Sequence, residues 1–341
     1  MGLFRKLGPG DKGTTLVLVA LMLVVLIGFM ALVVDMGALS ANKRKLVAAA
    51  DAAALAGAQT YANGILSGTD PHDTTLVNSV YDFARNYAIN NGADPNKIEI
   101  AVDEYNYKIT VDLSGEYDLH FAPVLGVDKG TRAAHAEAIT GPVGSSPGAT
   151  PVFIEDPGPG NVPKPGDTFV LKDAAPSPQF GSGSFGCLTF SGNQDKDEYE
   201  TRLKFGYDGT VCAGTYIATL NGNNTNQTTD AIKTDPQDGH NARFERCTGG
   251  SNCKWDNHES GCPRVVIVPV CDISCYQPND KKVYVVGFAT FFIDSYTPPS
   301  GHGHASGQCS IYASFMNSLA VGQVGGPGTP DFGTWAVNLI E

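Results

Sequence analysis

The first 186 of the 341 residues contain no cysteine, and from Thr14 to Val34 there is no charged side chain. Basic residues are also scarce: 23 Lys and Arg stand against 35 Asp and Glu, a formal charge of −12. That balance excludes the basic face that binding to phosphates requires, so nucleic acid is not expected as a partner. Neither a Walker-type phosphate loop nor an H-E-x-x-H zinc helix occurs, which removes the enzyme classes those motifs identify.

The uncharged run is 21 residues long. As an α-helix it reaches roughly 30 Å, the hydrocarbon thickness of a bilayer, so one membrane crossing over 14–34 is expected, behind a leader over 1–13. A secretory signal peptide is the alternative, with Arg5, Lys6 and Lys12 as its basic leader and Ala38-Leu39-Ser40 as a cleavage region. Signal cores run about 7 to 15 residues, shorter than this one. Orientation is undecided by loop charge, because Lys43, Arg44 and Lys45 balance the leader.

Cysteine usage supplies the orientation. All eight, Cys187, Cys212, Cys247, Cys253, Cys262, Cys271, Cys275 and Cys309, fall in the second half. An even count in a loop-rich segment beyond a membrane anchor reads as up to four disulfides in an oxidising compartment, with 105 pairings open. The N-terminus is then cytoplasmic and the bulk extracellular. Six basic and three acidic side chains in residues 1–63 leave a charge of −15 on the remainder, so the exposed part is acidic.

After the apolar run the chain stays rich in alanine to about Asn63, with Met36, Leu39, Leu46, Ala50, Ala53, Gly57 and Tyr61 recurring at intervals of three, four or seven. That stripe of mostly small residues predicts a helix continuing from the membrane and packed closely on another helix or a sheet. A break at Asp35-Met36-Gly37, giving two separate helices, is the competing expectation. A second helix is predicted from about Thr74 to Asn91, capped by Asp73, ended by Gly92 and facing inward through Leu76, Val80, Phe83 and Tyr87. Alternation at Ile98, Ile100 and Val102, and again at Tyr107, Ile109, Val111 and Leu113, predicts a hairpin turning near Glu104-Tyr105-Asn106. Another alternating stretch follows around Thr131 to Thr140.

These residues resemble the Tad (Flp) pilus-assembly proteins of the TadE/TadG type. The likeness lies in Val33-Val34-Asp35-Met36-Gly37, in the block from Lys45 to Ala58 containing Ala49-Ala50-Asp51-Ala52-Ala53-Ala54-Leu55-Ala56, and in Phe121-Ala122-Pro123-Val124-Leu125-Gly126. It covers roughly residues 1–140. Lys204-Phe205-Gly206-Tyr207-Asp208-Gly209, Cys262-Pro263-Arg264-Val265-Val266 and Val286-Gly287-Phe288-Ala289 resemble a module attached to such proteins in Gram-positive bacteria. The resemblance implies a structural role through contacts with other pilus-assembly or pseudopilin subunits and with the membrane. Two features depart from the pattern. Leu18 stands where a processed pilin, counted from Gly13, would carry glutamate, and no Asp-x-Ser-x-Ser metal site occurs.

Between Gly141 and Gly183 proline and glycine cluster and periodicity disappears, which predicts a linker. Residues 184–341 then read as a mainly β, disulfide-rich domain, with apolar strand-like runs at Val265–Val270 and Lys282–Asp294. The expected class is therefore α+β: a membrane helix extended into a pilin-like helix, a small antiparallel sheet over 35–140, a linker over 141–183, and the cysteine-rich domain.

No catalytic, cofactor or metal site is expected. Gly181-Ser182-Gly183-Ser184-Phe185-Gly186 fits G-x-G-x-x-G but follows a proline-rich stretch rather than a strand. Zinc on Cys253, Cys262, Cys271, Cys275 and His258, with His302 or His304, is disfavoured because only Cys271 and Cys275 have ligand-pair spacing. Asp195, Asp197, Glu198 and Glu200 lack the pattern of a calcium loop, and Asn223-Asn224-Thr225 and Asn226-Gln227-Thr228 read as a polar loop rather than glycosylation sites. Three functions remain: an anchored structural component, an adhesin recognising a cell-wall or surface ligand, and an anchored hydrolase.

Overall fold

The structure, a computed structural model, describes residues 11–158, 160–173, 184–232, 242–249, 252–297 and 309–340. Its first element is one unbroken helix, α1 (Asp11–Leu66, 56 residues). No proline occurs between Pro9 and Pro71, and Gly28 and Gly37 find no neighbour within 4 Å, so nothing forces a break. At 1.5 Å per residue the helix is roughly 84 Å long. Large side chains from Leu16 to Val34 project from it exposed on every side, whereas beyond Asp35 one flank is buried.

Helix α2 (Thr74–Asn90) folds back on α1. The Asp73 carboxylate caps it, accepting from the Thr75 and Leu76 amides at 2.7 and 3.1 Å. Its inner face differs from expectation: Leu76, Val80, Ala84 and Ala88 are buried, while Phe83 and Tyr87 are half exposed. The helices approach closely at Gly57, where an added Cβ would stand 3.3 Å from Ala84 Cβ and 3.5 Å from Val80 Cγ1.

The two helices lie on a sheet of seven strands among the described residues. Strands β1 (Ile98–Asp103), β2 (Lys108–Asp118) and β3 (Lys129–Pro147) form an antiparallel meander, with a short 3-10 turn (Ala122–Leu125) between β2 and β3. The core between layers holds alanines of α1 against Ile109, Val111, Leu113, Ala134, Ala136 and Ala138.

The expected linker is a correction. Strand β3 runs through 141–147, and Ala149, Thr150, Val152, Phe153 and Ile154 are buried. Two further strands lie in the same stretch, β4 (Ile154–Glu155) and β5 (Thr168–Lys172). Apolar residues spaced among the prolines and glycines, too irregular for a period, supply that burial. Residues 174–183 of the stretch lie outside the described residues.

The later strands are β6 (Ser184–Thr189), β7 (Thr210–Cys212), β8 (Tyr216–Asn221), β9 (Val265–Gln277), β10 (Lys282–Thr297), β11 (Ser310–Met316), β12 (Ser318–Leu319), β13 (Gln323–Val324) and β14 (Thr334–Ile340). Strands β4, β9, β10, β11 and β5 form a second sheet that β8 and β6 extend. Helices α3 (Lys196–Phe205) and α4 (Thr225–Ile232) cover it, burying Tyr199, Leu203 and Ile232 with Phe291 and Phe315.

The chain does not divide at residue 140 or 184. Strand β14 pairs with β3 from Trp335↔Pro142 to Ile340↔Glu137, and β7, β12 and β13 join the same first sheet. Trp335 packs on Tyr107 with ring centroids 5.3 Å apart, and Asn317 donates to the Leu66 carbonyl at the end of α1. The sheet is thus larger than expected because the C-terminal residues complete it.

Candidate functional site

Along α1 the alanine-rich stripe serves the protein's own core. Ala50, Ala53, Ala54, Ala58 and Tyr61 have no exposed surface, and Leu39 and Leu46 are nearly as buried. A Cβ on Gly57 would stand 3.1 Å from Ile109 Cγ2 and 3.3 Å from Ala84 Cβ, so glycine permits sheet and helix to meet there. The Tyr61 hydroxyl donates to Pro71 O at 2.9 Å, and burial pushes its pKa up to about 12. Met36 is the exception, 56% exposed where the packed flank begins. Its neighbour Asp35 occupies the inward position instead.

Asp35 is 3% exposed, and its two carboxylate oxygens collect three backbone N–H groups. His120 donates at 2.8 Å, Phe121 at 3.0 Å and Ala122 at 2.7 Å. Burial pushes this carboxyl up, but the three hydrogen bonds outweigh it and hold the group below its ordinary value of 3.8. The residue directly after the uncharged run therefore fastens the β2–β3 turn to α1. The resemblance drew attention to Asp35 and to Phe121–Gly126 separately; their contact is long-range and no periodicity signals it.

The cysteines fall into separate places. Among the described residues no two sulfurs are at bonding distance. Cys247, Cys253 and Cys262 converge, with sulfurs 3.4 Å apart for Cys253 and Cys262 and 3.8 Å for Cys247 and Cys262. Arg264 frames this cluster: its guanidinium lies 4.4 Å from the ring centroids of both Phe244 and Phe292 and donates to the carbonyls of Cys253, Ile293 and Asp294. For Cys253, burial and then the neighbouring thiols push the pKa up to about 12. Cys247 goes the other way: burial raises it, but hydrogen bonds from Cys253, Cys262, the Gly249 amide and Arg264 bring it below its ordinary value.

Cys271 is buried in another core cluster and Cys275 is exposed beside Asp272, so the zinc set weighed from sequence is not assembled. Cys247, absent from that set, takes their place, and no ligand-pair spacing marks it. His258 lies against Phe292 with the rings tilted and their centroids 5.8 Å apart, whereas His302 and His304 lie outside the described residues. Cys187 contacts the Tyr199 hydroxyl, Cys309 contacts Lys172 Nζ, and Cys212 lies exposed on β7 opposite Ser145.

Other candidates have structural partners. Asp195 caps α3 through the amides of Asp197 and Glu198, Glu198 binds Ser191, and Glu200 pairs with Lys204 at 3.0 Å, so these acids do not converge on one point. Asn223 accepts from Lys172 Nζ at 2.7 Å, and Thr228 is buried, which ties both acceptor-like sequences into the fold. Of the G-x-G-x-x-G run, residues 181–183 lie outside the described residues and the remainder enters β6. A groove of about 680 Å³ runs between α1 and the first sheet and is lined by Leu55, Gln59, Ser145, Val321, Gln323 and Asn338 among others, with no titratable side chain.

Residues 13–60 match the family model described as putative Flp pilus-assembly TadE/G-like. That interval begins before the exposed apolar run and ends one residue short of Tyr61, so it coincides with the membrane-length segment and its packed extension. No curated protein and no solved structure matches the chain. The similarity to TadE/G-like pilus-assembly proteins thus lies in residues 13–60 of the 341.

Proposed function

We propose that the protein is a single-pass, membrane-anchored structural component of a Tad/Flp-type pilus-assembly or secretion apparatus, acting through protein contacts. The observation that carries this reading is the coincidence of the family match over 13–60 with one helix that is exposed and apolar over a membrane's thickness and then becomes the spine of a folded head. A rigid helix shared by membrane and head transmits position from one to the other, which a flexible tether does not.

The stripe from Leu39 to Tyr61 is occupied by the protein's own sheet. Contacts with other pilus-assembly or pseudopilin subunits therefore fall to the exposed run before Asp35 and to the outer surfaces of the head. Leu18 in place of a glutamate favours a retained anchor over a polymerising subunit. In this reading the N-terminus is cytoplasmic and the head, with its cysteines oxidised at least in part, is outside.

The adhesin reading puts recognition of a cell-wall or surface ligand in the second sheet. Excising 148–317 while joining β3 to the strands that close the first sheet separates the two. Loss of pili with this variant and restoration by the full chain support the structural role; normal pili that no longer adhere support recognition.

A further inference from the structure

The β2–β3 turn is an apolar tip with sharp boundaries. From Leu119 to Val127 the chain reads Leu-His-Phe-Ala-Pro-Val-Leu-Gly-Val, without an acidic residue and with His120 as its one titratable side chain, and it is bracketed by Asp118 and Asp128. Phe121 is 46% exposed, Val127 51% and Val124 88%. Apolar side chains gathered at one exposed turn mark a contact surface.

Its height along α1 identifies what covers it. Tyr61 packs near Tyr107 at the start of β2, with ring centroids 6.1 Å apart, and Asp35 holds the turn after β2 ends. Between Tyr61 and Asp35 the helix rises roughly 39 Å. Between Tyr107 and Leu119 the strand extends roughly 40 Å. The two agree, so β2 runs antiparallel to α1 and delivers its turn level with Asp35, one residue beyond the uncharged run. The headgroup layer occupies about 5 to 8 Å on each side of the hydrocarbon. A turn clamped to the last helical turn of a membrane span has that layer beside it.

Resting on the anchor reading, we infer that Phe121, Val124 and Val127 insert into the lipid interface and form a second membrane contact for the head. Pinned by Asp35, this contact fixes the rotation and tilt of the head about α1, which a single helix leaves free. Asp118 and Asp128 mark where the chain leaves the lipid. The partner is the acyl and headgroup boundary of the leaflet on the head side.

Full-length chains bearing Val124→Trp, Phe121→Trp or Val321→Trp, reconstituted in phosphatidylcholine vesicles with acyl-brominated lipid, test this. Val321 is 78% exposed and contacts Ser146 at the far end of β3. On the inference, the emission added by either turn variant over the wild-type Trp255 and Trp335 background shifts to the blue and is quenched, and that added by Val321→Trp is not. Unquenched turn variants in vesicles that retain the protein through an alkaline carbonate wash overturn the inference and leave the anchor standing. Protein released by the wash overturns both. Equal quenching of Val321→Trp shows a head lying flat and also contradicts the inference.

Discussion

The amide of Phe121 donates to the carboxylate of Asp35 at 3.0 Å across 86 positions of sequence, and the amides of His120 and Ala122 complete the same clamp. Because these bonds hold the Asp35 pKa below 3.8, the folded state favours the ionised form. The clamp's contribution is complete above the ordinary value and is lost as the pH falls through the lowered one. Hydrogen exchange should show protected amides at 120–122 at neutral pH, unprotected ones in Asp35→Ala, and intermediate protection in Asp35→Asn, which keeps one acceptor. Unchanged protection in Asp35→Ala would show that the turn is held by other means.

At Gly57 two effects compete. Alanine improves helix propensity by about 1 kcal/mol, but its Cβ must displace Ile109 and Ala84 by a few tenths of an ångström, so Gly57→Ala should be nearly neutral. Gly57→Leu cannot be accommodated and should destabilise by about 1 to 3 kcal/mol. Urea unfolding of the two variants measures both, and a stable Gly57→Leu would mean that helix and sheet are not in contact there.

Trp335 is 2% exposed and packs on Tyr107 with the rings tilted, and Thr140 donates to the carbonyl of Ala336. Trp335→Ala should therefore cost about 3 to 5 kcal/mol and should expose amides of β2 and β3, more than 190 positions away in sequence. Exchange confined to the C-terminal residues would contradict a sheet completed by β14.

Local features of this fold were legible in sequence. The uncharged run, the Asp73 cap and the alternation of β1 and β2 are each written within a few residues, and they appear where expected. Helical spacing places Phe83 and Tyr87 on one face with Leu76 and Val80, whereas the structure buries Ala84 and Ala88 there instead, with Ala84 close against Gly57. The stretch 141–183 read as linker because its prolines and glycines mask the apolar residues at 149–154 that the second sheet buries. The pairing of β14 with β3 and the meeting of Cys247 with Cys253 and Cys262 depend on tertiary approach, which no spacing rule encodes.

For the thiol cluster, peptide mapping without reductant should find Cys253 linked to Cys262, the closest sulfurs, with Cys247 as the remaining thiol. Closing that short loop should stabilise the fold by about 2 to 3 kcal/mol, and reduction should remove it. Stoichiometric zinc on three unbridged thiols would replace this account, since bound metal requires thiolates.

The central claim is tested most directly by counting surface pili under the electron microscope after deleting the gene and restoring it. The account predicts that pili disappear, return with the full chain, and do not return when residues 14–34 are replaced by a cleavable signal sequence that exports the same head unanchored. Normal pili on cells lacking the protein, or full rescue by the unanchored head, would contradict it.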